Sequence, residues 1–298
     1  MARESIGVIG IGLVGSALCA VLLRSGYDVL GYDVDRAKLD ALLGVGGRAA
    51  SSPADVAQGC RRVILSLPTS AEVEAVVAGI GSMAPGIVID TTTGHPREVE
   101  RLAARLAGQG VHFLDATIAG SSRQVAEREA VFLVGGDEGG YRSCADLWGV
   151  LSERVLYMGP PGSGAKAKLA VNLVLGLNRA VLAEGLVFAE RLGIAMEAAL
   201  ELFACTLAYS RAVDVKGRKM VSGDFAPEAR LAQHRKDVGL MLALAGEAGQ
   251  GLPLTEVHAA VLDRAIAAGD GELDNSAVIR EIVRRGGGQG GDGGGRTG

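Results

Sequence analysis

The sequence predicts an α/β N-terminal domain with a mostly parallel sheet, joined by a long helix to an all-α C-terminal domain. Three observations lead to this fold class. Short apolar runs alternate with helical segments in the first half, the alternation stops near Met158, and a long apolar helix follows. Strands that alternate with helices of this length are typical of βαβ units, whose strands run parallel. A chain of 298 residues also exceeds the usual size of one hydrophobic core, which favours two domains.

In the first half, Ser5–Gly10 is a short apolar run that ends in glycine, as expected of a buried parallel strand. Leu13–Arg24 follows with helical periodicity and stops before Gly26, a residue that commonly terminates helices. The alternation continues with strands predicted over Asp28–Tyr32, Arg62–Leu67, Ile87–Asp90, Val111–Asp115 and Ala130–Val134, and with helices over Asp35–Leu43, Ala71–Val77 and Pro96–Ala107.

In the second half, Gly159–Gly164 predicts a loop and Lys166–Leu192 predicts one long apolar helix. Further helices are predicted over Glu197–Thr206, Val213–Val221, Glu228–Ala248, Thr255–Ala268 and Ser276–Arg285. We therefore expect one domain over residues 1–161 and a helical substrate and dimerisation domain over 162–285. The glycine-rich segment 286–298 has nothing to bury and is predicted to be a disordered tail.

The composition is that of a soluble globular protein, with 48% hydrophobic and 21% charged residues. The net charge is −4 and no block of lysine and arginine stands out, so we expect no nucleic-acid partner. Charged or amide residues interrupt the long apolar runs, so we expect no membrane span. A strand begins within a few residues of Met1, which leaves no room for a signal peptide and favours a cytoplasmic location. The four histidines match no set of metal ligands, so we expect no metal.

A glycine motif lies between the first predicted strand and the first predicted helix: Gly10, Ile11, Gly12, Leu13, Val14 and Gly15 form G-x-G-x-x-G. The first glycine permits a tight turn, the second lets the backbone approach a pyrophosphate, and the third allows close packing of helix and strand. The helix N-terminus offers free N–H groups and the positive end of its dipole to the phosphates. In a βαβ unit, this motif predicts a Rossmann domain that binds a dinucleotide.

Asp33 follows the second predicted strand, where dinucleotide-binding domains often carry an acidic residue. Its carboxylate would accept hydrogen bonds from the ribose hydroxyls and repel a 2′-phosphate, which favours NAD. The alternative is that Asp33 only caps the next helix together with Asp35. Arg36 could accommodate the extra phosphate, so NADP stays open as a second cofactor.

Lys168 and Asn172 are four residues apart and share one face of the long helix. A lysine held near apolar surface has a lowered pKa and can exchange a proton near neutral pH. A lone Lys-x-x-x-Asn is more typical of a solvated lysine near a helix start. Both interpretations are open on these residues alone.

Together, these motifs resemble the β-hydroxyacid dehydrogenase family, which includes 3-hydroxyisobutyrate dehydrogenase and tartronate semialdehyde reductase. The resemblance extends over nearly the whole chain, up to about Arg285. Besides the glycine motif and the Lys168/Asn172 helix, it includes Leu67-Pro68, Asp90–Pro96 with Thr92 in the family's serine position, Asp115–Gly136 and Lys236-Asp237.

The resemblance implies an NAD-dependent oxidoreductase that transfers hydride between nicotinamide and a small β-hydroxyacid or semialdehyde. Lys168 would be the general acid/base, and Asn172 would orient the substrate oxygen or the lysine. Lys236 would reach over the nicotinamide and the substrate, with Asp237 holding Lys236 or a helix neighbour.

The resemblance also implies contacts from the loops. Leu67, Pro68 and Thr93 would contact the cofactor, and Thr93 the substrate as well. Ala119, Gly120, Ser121 and Ser122 would bind the acid group of the substrate.

This substrate loop departs from the family pattern D-A-P-V-S-G-G, because Ala119 replaces the serine and Ser121 the second glycine. Ser122 adds a hydroxyl, and Arg123 could add a charged pair. One interpretation is that the loop backbone binds the usual acid group. The other is that the substrate carries a different acid group or a hydroxylated chain.

Two alternatives to a hydroxyacid dehydrogenase share the architecture: an imine reductase and a non-catalytic NAD-binding scaffold. Relatives of both kinds generally lack the lysine, so Lys168, Asn172 and Lys236 together favour the dehydrogenase.

The long helix carries more apolar surface than a small helical domain can cover. This surplus predicts a homodimer or a homotetramer.

Overall fold

The computed structural model describes residues 4–80 and 86–286, and the chain divides into two compact units between Val171 and Asn172. The division falls within the long helix, so that helix contributes to both units. The domain boundary expected between residues 161 and 162 stays a prediction.

The first unit is built on an eight-stranded sheet in the order β3-β2-β1-β4-β5-β6-β7-β8. The strands are β1 Ser5–Ile9, β2 Asp28–Tyr32, β3 Arg48–Ala49, β4 Arg62–Leu65, β5 Ile87–Asp90, β6 His112–Ala119, β7 Val131–Gly136 and β8 Arg154–Gly159. Neighbouring strands are parallel except β6 and β7, which are antiparallel. The prediction of a Rossmann domain with a mostly parallel sheet is confirmed.

Helices cover both faces of this sheet. They are α1 Leu13–Arg24, α2 Arg36–Gly44, α3 Pro53–Gly59, α4 Ser70–Ile80, α5 Pro96–Ala107, α6 Ser122–Ala126, α7 Glu138–Ser143, α8 Ala145–Leu151 and the start of α9 Ser163–Arg191. Consecutive strand residues point to opposite faces. Ile64 therefore joins the apolar cluster that contains residues of α1 and α8, while Val63 and Leu65 join the cluster that contains residues of α3, α4 and α5.

The structure corrects the expected substrate loop. Strand β6 continues past Asp115 to Ala119, because its residues pair in register with β7 and Ala116, Thr117 and Ile118 are buried. Only Gly120 and Ser121 lie between this strand and α6. The predictions also missed β3, which has only two residues, both exposed, and β8, whose residues Val155–Met158 are apolar but mostly exposed. The short helices α3, α6, α7 and α8 were missed as well.

The second unit is helical in its described part, apart from an isolated bridge between Arg230 and Asp274. Besides the rest of α9, it contains α10 Met196–Cys205, α11 Arg211–Ser222, α12 Leu231–Glu247, α13 Pro253–Ala267, a 3₁₀ turn at Asn275–Ala277 and α14 Val278–Gly286. The all-α prediction for this part is confirmed.

Most predicted helix limits shift by one to three residues, and three of these changes have consequences for the domain. Helix α12 starts at Leu231 rather than Glu228, because Asp274 accepts hydrogen bonds from the backbone N–H groups of Glu228 and Ala229 and holds them in a loop. Helix α9 starts at Ser163 rather than Lys166. Gly286, expected in the tail, is the last residue of α14, and the rest of the expected tail lies outside the described residues.

Helix α9 is the one helix of the described chain that is long and apolar enough to cross a membrane, and 39% of its most apolar window is buried within the protein. A long core helix of a soluble protein has the same length and composition. One helix of this kind is therefore weak evidence for a membrane span.

Candidate cofactor and catalytic site

The glycine motif forms the turn between β1 and α1. Gly10 has a φ of +91°, and a Cβ atom there would lie 2.3 Å from the carbonyl oxygen of Ser66. A Cβ at Gly15 would lie 2.0 Å from the carbonyl oxygen of Gly10, so helix and strand can pack this closely only with glycine. A Cβ at Gly12 would meet nothing within 4 Å, so the backbone there faces open space. Gly12 is the N-cap of α1, and no side chain among the described residues caps this N-terminus.

Asp33 lies just after β2 and is joined to the glycine motif. Its Oδ2 accepts a hydrogen bond from the backbone N–H of Ile11 at 2.6 Å, and its Oδ1 accepts one from that of Asp35 at 2.9 Å. Asp35, and not Asp33, caps α2, because its side chain accepts from the N–H of Ala37. Each carboxylate oxygen of Asp33 keeps a lone pair for a further donor such as a ribose hydroxyl. The nearby Arg36 is exposed and paired with Asp40 on α2.

The loops after β4 and β5 are joined by Thr92. The Thr92 side chain is buried, and its Oγ1 accepts a hydrogen bond from the N–H of Leu67 at 3.2 Å. Asp90 orients Thr92 in turn, because its Oδ1 accepts from the Thr92 N–H at 2.9 Å. Thr92 therefore fixes the backbone of the Leu67-Pro68 loop, and Thr93 next to it is half-buried.

The end of β6 presents the residues expected to bind an acid group. Ala119 is half-buried, and Ser121 caps the short helix α6 through a reciprocal pair of hydrogen bonds with Gln124. The Ser121 hydroxyl accepts the N–H of Gln124 and retains its own hydrogen for another acceptor. Ser122 begins α6, so the added hydroxyls lie at a fixed turn and not in an open loop.

Asp115 on β6 connects the sheet to the start of α9. Its Oδ1 accepts from the N–H of Gly162 at 3.0 Å, and its Oδ2 accepts from the N–H of Ala165 at 2.9 Å. The side chain is 1% exposed, and this burial raises its pKa to about 6 against the opposing effect of the backbone N–H groups. Helix α9 then carries Lys168, which is buried at 7% exposure. Lys166, by contrast, has a half-exposed side chain paired with Glu100 at 2.7 Å.

The helical unit brings together Asn172, Lys236 and Asp237. The Nδ2 of Asn172 donates a hydrogen bond to Oδ2 of Asp237 at 2.8 Å, and the ammonium of Lys236 lies 3.3 Å from Oδ1 of Asp237. Asn172 and Asp237 are buried, while Lys236 is partly exposed. An ionised carboxylate only accepts hydrogen bonds, so the amide nitrogen of Asn172 must face Asp237. The amide oxygen of Asn172 then faces away and can accept from another donor.

A second polar cluster, which the sequence did not predict, lies in the same unit. The Nε2 atoms of His234 and His258 are 3.1 Å apart, and a Cβ at Gly176 would lie 2.5 Å from Nε2 of His234. Burial and the charge of Arg179 lower the pKa of His258 to about 4, and burial lowers that of Arg179 to about 10. His234 lies three residues before Asp237 on α12, so the cluster lies one helical turn from the Asn172–Asp237 pair.

These features fit a dinucleotide. The bare backbone at Gly12 and the uncapped α1 N-terminus suit a pyrophosphate, and Asp33 lies where a ribose would be held. Two models of known protein families that bind NAD or NADP match the chain. The model described as the NAD binding domain of 6-phosphogluconate dehydrogenase matches residues 5–159, and the model described as NAD-binding of NADP-dependent 3-hydroxyisobutyrate dehydrogenase matches 162–282.

The chain belongs to the β-hydroxyacid dehydrogenase family. Two of its relatives are similar to it over more than nine-tenths of their length. The 2-(hydroxymethyl)glutarate dehydrogenase of Eubacterium barkeri is 29% identical, with 92% of this chain and 93% of that protein covered. The glyoxylate/succinic semialdehyde reductase 1 of Arabidopsis thaliana is 28% identical, with 93% and 98% covered.

Among solved structures, the 3-hydroxyisobutyrate dehydrogenase of Salmonella typhimurium has a TM-score of 0.85 and 25% identity, with 93% of this chain and 99% of that chain covered. The chain is therefore an NAD(P)-dependent oxidoreductase that transfers hydride at a CH–OH group. The expected family, enzyme class and cofactor class are confirmed.

Proposed function

We propose that the protein interconverts a small β-hydroxyacid and its semialdehyde, with Lys168 as the general acid/base and NAD as the preferred cofactor. The burial of Lys168 carries the proposal. Lys168 is buried, whereas Lys166 on the same helix is solvated and forms an ion pair with Glu100. In general, burial of a lysine destabilises its charged form and so lowers its pKa toward neutral pH, where the side chain can act as an acid or a base.

The bound nicotinamide supplies hydride in reduction and accepts it in oxidation. In reduction, the Lys168 ammonium donates a proton to the substrate oxygen, and in oxidation the neutral amine removes it. Asn172 presents its amide oxygen, because Asp237 holds the Nδ2 end. That oxygen can accept a hydrogen bond from the substrate hydroxyl or from an ammonium group. Lys236, held beside Asp237, supplies a positive charge for a negatively charged group of the substrate or cofactor.

In the first unit, the Gly10–Gly15 turn binds the pyrophosphate, Asp33 binds the ribose, and Leu67, Pro68 and Thr93 line the nicotinamide. The preference for NAD follows from the charge of Asp33, which repels a 2′-phosphate. Ala119, Gly120, Ser121 and Ser122 bind the acid group of the substrate, together with Thr93. The names of the two protein relatives support a short carboxylic acid with a hydroxyl or aldehyde carbon.

We also propose that α9 packs against a second copy in a homodimer or homotetramer. Val174, Val181 and Phe188 are 55%, 67% and 64% exposed and recur every seven residues, so they form one apolar stripe on α9. Light scattering after size-exclusion chromatography would measure the mass, and replacing Val181 with Glu should yield monomers.

Buried free thiols at Cys19, Cys60 and Cys144 support a reducing compartment such as the cytoplasm.

The experiment for the function is an absorbance assay at the nicotinamide band with NADH and NADPH against a panel of small semialdehydes and ketoacids, with the hydroxyacids tested in reverse. We expect turnover with a short-chain carboxylic semialdehyde or hydroxyacid and a preference for NADH. Turnover confined to an imine panel would replace this proposal with imine reduction. Cofactor binding without any turnover would favour a non-catalytic scaffold.

A further inference from the structure

Helix α9 starts without a capping side chain of its own. The carbonyl of Gly162 accepts the first helical hydrogen bond, from the N–H of Lys166, which makes Gly162 the N-cap residue. Gly162 has a φ of +85°, and a Cβ there would lie 2.9 Å from Cγ of Glu100. Serine, threonine and aspartate, the usual N-cap residues, are therefore excluded at this position.

Asp115 supplies the missing cap from β6. An N-cap side chain normally accepts from the N–H two or three residues later, and Ala165 is the third residue after Gly162. The Asp115 carboxylate accepts from that N–H through Oδ2 and from the Gly162 N–H through Oδ1. The buried Thr117, two residues along the same strand, donates from Oγ1 to the carbonyl of Gly164 at 2.9 Å. Two side chains of one strand thus hold the first turn of α9.

Two glycines allow this close approach. A Cβ at Gly164 would lie 2.2 Å from the carbonyl oxygen of Asp115, and one at Gly135 on β7 would lie 2.5 Å from its Oδ1. Gly164 and Lys168 are four residues apart on α9 and share one helix face. The position of Gly164 against the strand therefore sets the direction in which Lys168 leaves the helix.

We propose that Asp115 is a positioning residue for the hydride-transfer reaction: it caps α9 from the neighbouring strand and thereby fixes the site from which Lys168 exchanges its proton. This inference rests on the proposed role of Lys168. Asp115 itself is buried under the first turn of α9, so it acts through the backbone of that turn and not on the substrate.

Asp115→Asn tests the proposal, because an asparagine has the same shape but presents an NH₂ group to one of the two N–H donors. We expect kcat to fall by about 10- to 100-fold, as small misplacements of catalytic groups do. The KM of the substrate and the Kd of NADH should stay within about threefold, because binding groups are unchanged. Assays well below the melting temperature keep the folded fraction constant, so lost stability alone leaves kcat unchanged.

Asp270→Asn is the matched control, because Asp270 is equally buried but pairs with Arg280 and Arg284 in the helical unit. It should lower the melting temperature and leave kcat within about twofold. If Asp115→Asn does not fold, Gly164→Ala displaces the same turn with the carboxylate intact and should lower kcat similarly. Its control is Gly149→Ala, where a Cβ would meet nothing within 4 Å.

Lys168→Ala in the same assay separates the two claims. If Lys168→Ala is inactive while folded Asp115→Asn, or Gly164→Ala in its place, keeps the wild-type kcat, the positioning role is wrong and the role of Lys168 stands. An equal loss of kcat in Asp270→Asn would also overturn the positioning role. If Lys168→Ala keeps the wild-type kcat, both claims fail.

Discussion

Protonation of His258 should weaken the helical unit as the pH falls below neutrality. The side chain is 4% exposed, and burial together with Arg179 lowers its pKa from 6.5 to about 4. The folded state therefore holds His258 neutral over a pH range in which the unfolded chain binds a proton. The stability that depends on the neutral form is complete above pH 6.5 and is lost as the pH falls toward 4.

The size of the effect follows from the two pKa values. At pH 5 the unfolded histidine is almost fully protonated and the folded one about one-tenth protonated, which corresponds to about 2 kcal/mol of lost unfolding free energy relative to pH 7.5. Asp115 titrates in the opposite sense, because its raised pKa of about 6 makes its ionised form costly at higher pH. The pH dependence must therefore be compared between wild type and a His258 variant.

Urea unfolding at pH 7.5 and pH 5 measures this difference. Circular dichroism follows all the helices, and the fluorescence of Trp148, the single tryptophan, follows the first unit separately. His258→Gln should reduce the pH-dependent loss by about 2 kcal/mol, whatever its absolute stability. His112→Gln removes a half-exposed histidine of the first unit and serves as the comparison for loss of a histidine outside the buried pair. Identical pH dependence in wild type and His258→Gln would refute the reasoning.

Three further predictions concern the first unit. Asp33→Ser should lower the preference for NADH over NADPH, measured as the ratio of the two kcat/KM values, by at least about tenfold. The change removes charged hydrogen bonds to the ribose and the repulsion of a 2′-phosphate. An unchanged ratio would mean that other residues select the cofactor. Thr92→Val should raise the KM for NADH about fivefold through loss of the bond from Leu67, and Thr92→Ser should retain the wild-type value. Arg62→Met should lower the free energy of unfolding, followed by Trp148 fluorescence, by about 1–3 kcal/mol, because the buried guanidinium forms an ion pair with Glu4. An unchanged unfolding midpoint would contradict this prediction.

The parts of the fold that depend on local sequence could be predicted. The Gly10–Gly15 turn, the strand before it and the helix after it follow from an apolar run, glycine spacing and helical periodicity within a short stretch. The long helix α9 was predicted by its continuous apolar pattern. Its first residue was not, because the Asp115 cap lies 50 residues away from Ala165 in the chain.

The predictions failed where the pattern was weak or long-range. Edge strand β8 follows directly on α8 and is mostly exposed, and the extension of β6 depends on its antiparallel partner β7. The pairing of His234 with His258 joins two helices and leaves no spacing signature. A glycine at the N-cap of a long helix was the one local feature that could have indicated a cap from elsewhere in the chain.

The proton exchange at Lys168 is the central claim, and single-turnover oxidation of bound NADH by the best semialdehyde of the panel tests it most directly. Lys168→Ala should slow this step by about 100- to 10,000-fold, the usual contribution of a general acid. Lys166→Ala, the same change two residues earlier at the solvated lysine paired with Glu100, should leave the rate within about twofold. A Lys168→Ala rate within about tenfold of wild type, or an equal loss in both variants, would contradict the account.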